Sequence, residues 1–419
     1  MRGSKAKKRY LVICGFFAAL TVMHGSGDAV LKNNPVRQDP AAEVWPLQEL
    51  LKSPQVFGAE DYAAPQVDEV RALLYESLPY QGKPVKIFAY YGVPKGAPPP
   101  GGWPAIVIAH GGGGTAYAKY VKMWNSRGYA AIAMDLYGKV PAPGVHPTER
   151  QAINDGFPDP YGAPAKTPAE EWSYHVVSAI ILAQSLLRSF PEINPEKIGL
   201  VGTSWGGIHS CIAAGLDPRF KVVVAIYGCG FLSDGDASIS FHRKFKGRMP
   251  WWDPSEFLPN ARMPFFWIGG TNDADFSPDM RQKSIDLTSE TVATSLVVGL
   301  GHSDDGQAYS LVAPMVDSVL RKEFKFPRLG QPHIEESRVW IKYDAGQPLK
   351  RADLCYTTGH EDRAKRVWQT APAKVGHGVI SASVPKDASA LFFNVYESGG
   401  DPAPEGDAWP ISSRYVEFP

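Results

Sequence analysis

The sequence predicts an α/β fold with a mostly parallel sheet and helices on both faces, followed by a small all-β region. Two observations carry this prediction. From about residue 84 to 323, short apolar segments alternate with stretches of helical periodicity, which is typical of a parallel sheet covered by helices. Beyond residue 327 the apolar segments become short, β-branched or aromatic, and turn residues bound them. Residues 329–419 are therefore predicted to form a small sandwich.

The composition is that of an ordinary globular protein. Of the 419 residues, 44% are hydrophobic and 21% are charged. Lysine plus arginine number 43, as do aspartate plus glutamate, so no net charge would attract a polyanion. Nucleic acid is therefore not an expected partner.

The first 27 residues have the pattern of a secretory signal peptide. Basic residues precede an apolar run over 10–22, and small residues at 25–27 allow cleavage after Gly27. The run is shorter than the ~20 residues that span a bilayer, so an uncleaved membrane anchor is the weaker alternative. We expect a secreted or periplasmic protein.

Three cysteines remain after that cleavage, Cys211, Cys229 and Cys355. An odd number does not make a disulfide framework, and at most one bridge can form. A pair between Cys211 and Cys229 is conceivable, but spacing alone cannot show that its geometry permits a bond. All three are interpreted as structural.

The chain divides into a signal peptide (1–27), a lead-in (28–83) with a helix over 67–77, a catalytic domain (84–328) and the β-rich region (329–419). Two segments interrupt the catalytic alternation, at 138–168 and 230–260, and are predicted to cross the surface and to cover the sheet. The predicted strands are 85–93, 105–110, 130–135, 197–201, 222–227, 264–268, 294–298, 338–343, 379–384 and 390–396. The predicted helices of the catalytic domain are 117–127, 169–188, 207–215, 278–287 and 307–323.

The strongest motif is GTSWG at 202–206, a G-x-S-x-G pattern between a predicted strand and a predicted helix. A sharp strand-to-helix turn requires glycines beside the central residue, and it exposes the Ser204 hydroxyl at a helix N-terminus. That position also stabilises a developing anion. Ser204 is therefore the predicted nucleophile, with an ordinary glycine-rich turn as the alternative.

A serine hydroxyl needs a base, which in turn needs an orienting carboxylate. In this topology the chain order is serine, acid, histidine, each following a later strand. His302 follows the strand 294–298, and Asp273 and Asp275 both follow the strand 264–268. Asp273 is the preferred acid and Asp275 the competitor, whereas the two aspartates at 304 and 305 lie too close to His302 along the chain.

Catalysis also needs amides that bind an oxyanion. The residue after the nucleophile, Trp205, supplies one, and Gly112 or Gly113 in the HGGGG loop at 110–114 supplies the other. A rival reading fits the same loop, because the spacing of Gly111, Gly113 and Ala116 with a later Asp135 resembles a dinucleotide fingerprint. Two points outweigh the dinucleotide interpretation. An exported protein would not meet the NAD pool, and a dinucleotide site would leave the G-x-S-x-G motif unexplained.

Among the aromatic residues, Trp251 and Trp252 are candidates for substrate binding, Trp205 lies near the site, and Trp124 is read as core. No spacing of cysteine, histidine and aspartate indicates a zinc site, so neither a metal nor an organic cofactor is expected. The histidines outside the catalytic topology are interpreted as structural: His146, His175, His209 and His242.

The chain resembles the dienelactone hydrolase-like and acetyl xylan esterase-like branch of the α/β-hydrolases, which is related to the prolyl oligopeptidase catalytic domain. The resemblance covers about residues 84–323 and rests on four segments: HGGGGTAYAKYVKMWNSRGYAAIAMDLYG (110–138), GTSWGG (202–207), GGTNDADF (269–276) and GLGH (299–302). It implies hydrolysis of carboxylic esters without a cofactor, with Ser204 as nucleophile, His302 as base and Asp273 as orienter.

The resemblance does not extend to the β-rich region, whose role the sequence leaves open. The expected function is that of a secreted serine esterase acting on a small-molecule or polysaccharide ester, with acetylated polysaccharide as a substrate class by analogy. The alternatives are a serine peptidase of prolyl oligopeptidase type, whose large propeller cannot fit before residue 84, and a catalytically idle carbohydrate-binding protein.

Overall fold

The fold is described from a computed structural model covering residues 44–62, 65, 67–160, 165–234, 249–397 and 409–418. The predicted signal peptide at 1–27 lies outside the described residues, as does His242. No helix within those ranges combines the length and the apolar character that a bilayer crossing needs.

The described residues of the catalytic region form a nine-stranded sheet of order β1-β2-β3-β5-β4-β6-β7-β8-β9. The first three strands pair antiparallel, as does β3 with β5, and all remaining pairs are parallel. The strands are β1 (Val56–Phe57), β2 (Val70–Tyr80), β3 (Lys83–Gly92), β4 (Trp103–Ala109), β5 (Ala130–Met134), β6 (Ile193–Thr203), β7 (Val222–Ile226), β8 (Phe265–Gly270) and β9 (Thr291–Val297).

Helices lie on both faces of this sheet, as the sequence predicted. The connection from β4 to β5 runs in one direction across the sheet, and those from β5 to β6 and onward to β9 run in the other. Because parallel crossovers are right-handed, opposite directions place the helices on opposite faces. The helices are α1 (Leu47–Leu50), α2 (Ala118–Ser126), α3 (Trp172–Ser189), α4 (Trp205–Leu216), α5 (Met249–Trp252), α6 (Pro278–Leu287) and α7 (Val312–Leu320).

The predicted helix over 67–77 is wrong, because Val70–Tyr80 is strand β2 of the main sheet. Val70, Leu73 and Leu74 have helical spacing, which explains the error. The segment pairs along its length with β3, and the hydroxyl of Tyr75 donates to the Ala179 carbonyl in α3 at 2.9 Å. Since sheet pairing and burial on both faces decide the conformation, tertiary context overrides the local period.

The last catalytic helix begins later than predicted. Residues Asp304–Ala308 form a 3-10 turn, and the α-helix runs only over Val312–Leu320 instead of 307–323. Pro314 explains the start, since a proline without an amide hydrogen is tolerated only in the first turn of an α-helix.

The described residues of the C-terminal region, 328–397 and 409–418, are all β apart from one 3-10 turn at Arg363–Lys365, as predicted. One antiparallel sheet has the order β10-β12-β16-β15 with β11 beside β12, and another has β14-β13-β17-β18 with β19 beside β17. The strands are β10 (Arg328–Leu329), β11 (His333–Glu335), β12 (Arg338–Asp344), β13 (Leu349–Thr357), β14 (Trp368–Pro372), β15 (Lys374–Gly376), β16 (Val379–Ser383), β17 (Ala390–Glu397), β18 (Ile411–Ser412) and β19 (Val416–Glu417).

Cys211, Cys229 and Cys355 are all free thiols buried in the structure, so the conceivable bridge between the first two is not formed. Burial raises the pKa of each of these thiols. A thiol held protonated in an apolar environment is a poor nucleophile, which agrees with a structural role.

Candidate active site

Ser204 occupies a strained turn between β6 and α4. Its φ of 55° and ψ of −117° are a conformation that side chains rarely adopt, and it is the residue that precedes the helix. The neighbouring glycines permit the turn: a Cβ on Gly202 would collide with the Gly206 carbonyl, and a Cβ on Gly206 with the Ala109 carbonyl. This is the strand, turn and helix that the motif predicted.

Three sequence-predicted residues meet at the carboxyl edge of the parallel strands. Ser204 Oγ lies 2.9 Å from His302 Nε2, and His302 Nδ1 lies 3.2 Å from each carboxylate oxygen of Asp273. Ser204 and Asp273 are buried, and the imidazole is one-fifth exposed. The arrangement therefore joins a hydroxyl, an imidazole and a carboxylate in one hydrogen-bonded chain, open to solvent at the imidazole.

Of the two competing acids, Asp273 is the one that faces His302 Nδ1. Its Oδ1 also accepts the amides of Asp275 and Phe276, at 2.8 and 3.0 Å. The carboxylate of Asp275 is nearly half exposed and lies 3.9 Å from His302 Nε2, on the nucleophile's side of the ring. Only Asp273 is thus in place to orient the imidazole toward Ser204.

Two residues that the sequence did not single out, Tyr227 and Arg281, lie near the hydrogen-bonded Ser204, His302 and Asp273. The ring of Tyr227 lies 4.8 Å from that of His302, with its hydroxyl against that of Tyr309. The Arg281 guanidinium is buried and donates to the Gly270 carbonyl at 3.3 Å. Burial lowers the pKa of Arg281, and the charge of Asp273 opposes that shift. A nearby carboxylate favours the charged form of a buried guanidinium. No local sequence pattern distinguishes Arg281 from an ordinary arginine.

The same cluster could be considered for a metal. Asp273, Asp275 and His302 offer ligand atoms that lie within 4.8 Å of one another. However, the imidazole nitrogens are already directed to Ser204 and to Asp273, and Asp273 accepts two amides. Among the described residues the hydrogen-bond pattern at this cluster fits proton transfer better than metal ligation.

The sequence model of the dienelactone hydrolase family matches residues 87–297, half of the chain. The chain belongs to the dienelactone hydrolase family. It is therefore a carboxylic ester hydrolase, as expected from the sequence. Among curated proteins none matches.

This dienelactone hydrolase family member is similar to several solved structures. The acetyl xylan esterase from Paenibacillus sp. R4 is 19% identical and superposes with a TM-score of 0.51, covering 65% of this chain and 92% of its own. Acetyl xylan esterase 1 from Thermoanaerobacterium sp. is 16% identical with a TM-score of 0.47, covering 64% and 91%. At this identity the first similarity supports the shared α/β-hydrolase fold.

The two regions predicted to supply oxyanion donors, Trp205 and the HGGGG loop, contact each other. Trp205 is the first residue of α4, and its indole packs so closely on Gly112 that a Cβ there would lie 2.8 Å from Cδ1 of the indole. The amide of Gly113 instead donates to the Tyr137 hydroxyl at 2.9 Å. Because the Gly113 amide is already used within the chain, Gly112 stays the predicted second donor.

The buried ion pair of Arg150 and Asp135 supports the HGGGG loop. Arg150, in the irregular segment after β5, donates to the carbonyls of Gly113 and Gly114, both at 2.7 Å. Its guanidinium lies 3.7 Å from Asp135, which is fully buried and accepts the amides of Tyr137 and Lys139. Burial raises the pKa of Asp135.

That burial also argues against the dinucleotide reading of the loop. Asp135 has no exposed surface, and its contacts are with the chain itself, so it cannot bind a ribose hydroxyl. His110, at the start of the same loop, is buried too, and burial lowers its pKa to about 3. Its Nε2 accepts the amide of Leu136 at 3.0 Å, which is the structural role of a neutral imidazole.

The two tryptophans proposed for substrate binding differ in position. Trp252 is 3% exposed and packs edge-on against Trp45, which makes it a core residue. Trp251 is half-buried and packs beside it. Substrate contact at Trp251 stays a prediction.

Proposed function

We propose that this chain is a serine esterase that works through an acyl-enzyme on Ser204. The observation that carries the proposal is a series of hydrogen bonds that joins Ser204 Oγ to His302 Nε2 and His302 Nδ1 to the Asp273 carboxylate. A hydroxyl becomes an effective nucleophile when a base accepts its proton, and the base works when a carboxylate fixes its orientation.

The reaction runs in two halves. Ser204 Oγ bonds to the ester carbonyl carbon while its proton moves to His302 Nε2, and the amides of Trp205 and Gly112 bind the oxyanion. The carbon–oxygen bond to the alcohol then breaks, and His302 returns the proton to the leaving oxygen. Water then attacks the acyl carbon while His302 takes its proton. The bond from that carbon to Ser204 Oγ breaks, His302 gives the proton to Oγ, and the acid leaves.

The substrate is proposed to be an acetylated polysaccharide met outside the cytoplasm. The export-like N-terminal pattern supports the location, and the similarity to the acetyl xylan esterase branch supports the acyl group. A comparison of short p-nitrophenyl esters, acetylated oligosaccharides and dipeptidyl amides tests this. Faster cleavage of the amides would replace the proposal with the peptidase alternative.

Replacing Ser204 by Ala tests the nucleophile. The variant should fold but lose p-nitrophenyl acetate turnover by several orders of magnitude, because the hydroxyl that accepts the acyl group is removed. The matched control is Ser210→Ala, a buried serine on the same helix, which should keep its rate. Equal rates in S204A and S210A would reject Ser204.

A fluorophosphonate probe adds an independent measurement, because only an activated serine reacts with it. The native chain and S210A should label, and S204A should not. A folded native chain that neither labels nor hydrolyses any ester would instead support the idle, carbohydrate-binding alternative.

A further inference from the structure

Asn272, the residue before the proposed acid, connects the acid loop (residues 271–277, between β8 and α6) to the C-terminal β region. Asn272 Nδ2 donates to the carbonyl of Ala364 at 3.0 Å and to that of Arg366 at 2.9 Å. The side-chain amide group of Asn272 thus donates to two carbonyls of one turn, the 3-10 turn around residues 363–366. Asp273, the next residue, faces His302.

The side-chain oxygen and the backbone amide of Asn272 connect the acid loop to the histidine loop, residues 298–303 after β9. Asn272 Oδ1 accepts the hydroxyl of Thr271 at 2.7 Å, and that hydroxyl accepts the amide of Gly299 at 2.9 Å. The backbone amide of Asn272 also donates to the Leu300 carbonyl at 3.2 Å. The acid loop, the histidine loop and the β region therefore meet at the pair Thr271 and Asn272.

The turn that receives Asn272 is itself firmly held. Arg366 is buried and pairs with Glu417 at 2.7 Å, and Arg363 pairs with the same carboxylate at 3.3 Å. Arg363 also reaches Asp279, in the first turn of α6, at 3.1 Å. The β region thus contacts the chain on both sides of Asp273: before it at Asn272, in the acid loop, and after it at Asp279, in α6.

We propose that the C-terminal β region positions the catalytic acid, and that Asn272 is the positioning residue through which it acts. This inference rests on the proposed triad. A carboxylate on a loop orients an imidazole only if the loop is fixed, and small displacements of a catalytic group cost rate rather than binding. The β region adds a support from outside the loop to the two amides that Asp273 accepts within it.

Replacing Asn272 by Ala removes both bonds to the β region. With p-nitrophenyl acetate, at a temperature well below unfolding, kcat should fall about 10- to 100-fold with KM within about 2-fold of the native value. The rate of fluorophosphonate labelling should fall with kcat. Loss of stability alone would move neither quantity in the folded enzyme.

The matched control is Asn394→Ala. Asn394 Nδ2 also links the β region to the sheet, donating to the Leu296 carbonyl in β9 at 3.2 Å, but away from the acid loop. Both variants should lower Tm, whereas N394A should keep native kcat. Thr271→Val removes the bond to the histidine loop at nearly constant volume, so it should also lower kcat, and less than additively with N272A.

The inference is overturned if N272A, or T271V should N272A not fold, keeps kcat within about 2-fold of N394A. In that case S204A would still be inactive and the proposed function would stand. If S204A itself remains active, the triad is wrong, and the failure lies in the proposed function instead.

Discussion

At the scale of single residues, Ser204 shows how the site is built on strain. A non-glycine residue at φ 55° and ψ −117° costs roughly 1–3 kcal/mol, and the surroundings must compel it. Its amide donates to the Ile226 carbonyl at 2.8 Å, and its carbonyl accepts the Ile208 amide at 2.9 Å, so both backbone groups are fixed. The turn is held by the sheet on one side and by the helix on the other.

The choice between the two candidate acids is a residue-scale prediction. Asp273→Asn should lower kcat by about 10⁴-fold, because an amide at His302 Nδ1 stabilises the wrong tautomer and cannot stabilise the imidazolium. Asp275→Asn should change kcat by less than about 10-fold, because its carboxylate is partly solvated and does not face Nδ1. The measurement is kcat with p-nitrophenyl acetate at pH 8. A larger loss in D275N than in D273N would reverse the assignment.

At the scale of elements, the HGGGG loop depends on a residue far along the chain. Arg150→Met removes both bonds to the loop carbonyls and leaves Asp135 buried without its cation. The free energy of unfolding should fall by about 3–5 kcal/mol, because an uncompensated buried charge remains. Urea denaturation measures the change, and kcat should fall as well because the oxyanion amides lose their support.

Arg188→Met provides the control for Arg150. Arg188 pairs with Glu196 at 3.4 Å near the surface, so its loss should cost less than about 1 kcal/mol. If R150M and R188M lose similar free energies of unfolding, the buried guanidinium of Arg150 does not stabilise the protein more than a surface arginine does.

The elements that sequence reasoning recovered are those whose burial and periodicity agree. Apolar runs and turn residues predicted the parallel strands β4 to β9 and the helices between them. The order of the motifs along the chain then predicted that Ser204, Asp273 and His302 converge. Strand β2 was mistaken for a helix because its apolar spacing fits both. Asn272 and Arg150 were missed because each acts through a partner that is distant in sequence. Arg281 was missed because no local pattern marks a buried guanidinium.

At the scale of the whole molecule, buried neutral histidines predict how stability depends on pH. Burial lowers the pKa of His175 from 6.5 to about 4. The unfolded chain therefore binds the proton more readily, so this stability is complete above about pH 6.5 and is lost as the pH falls toward 4. At pH 5 the loss relative to pH 7 should be about 2 kcal/mol from this residue.

His175→Gln tests that dependence. Urea midpoints at pH 7 and pH 5 should show a smaller decrease for H175Q than for the native chain. His333→Gln, on the exposed strand β11, should leave the decrease unchanged. Parallel losses in all three proteins would show that protonation of His175 does not contribute.

The contact of β18 with the last strand of the catalytic sheet has a consequence for solubility. At Leu296 in β9, the amide donates to Ser412 Oγ at 2.8 Å and the carbonyl accepts Asn394 Nδ2 at 3.2 Å. An open sheet edge invites another copy to add its own strand and so begins aggregation. Here hydroxyl and amide side chains saturate the edge at that residue, so a second polypeptide cannot extend the ladder there.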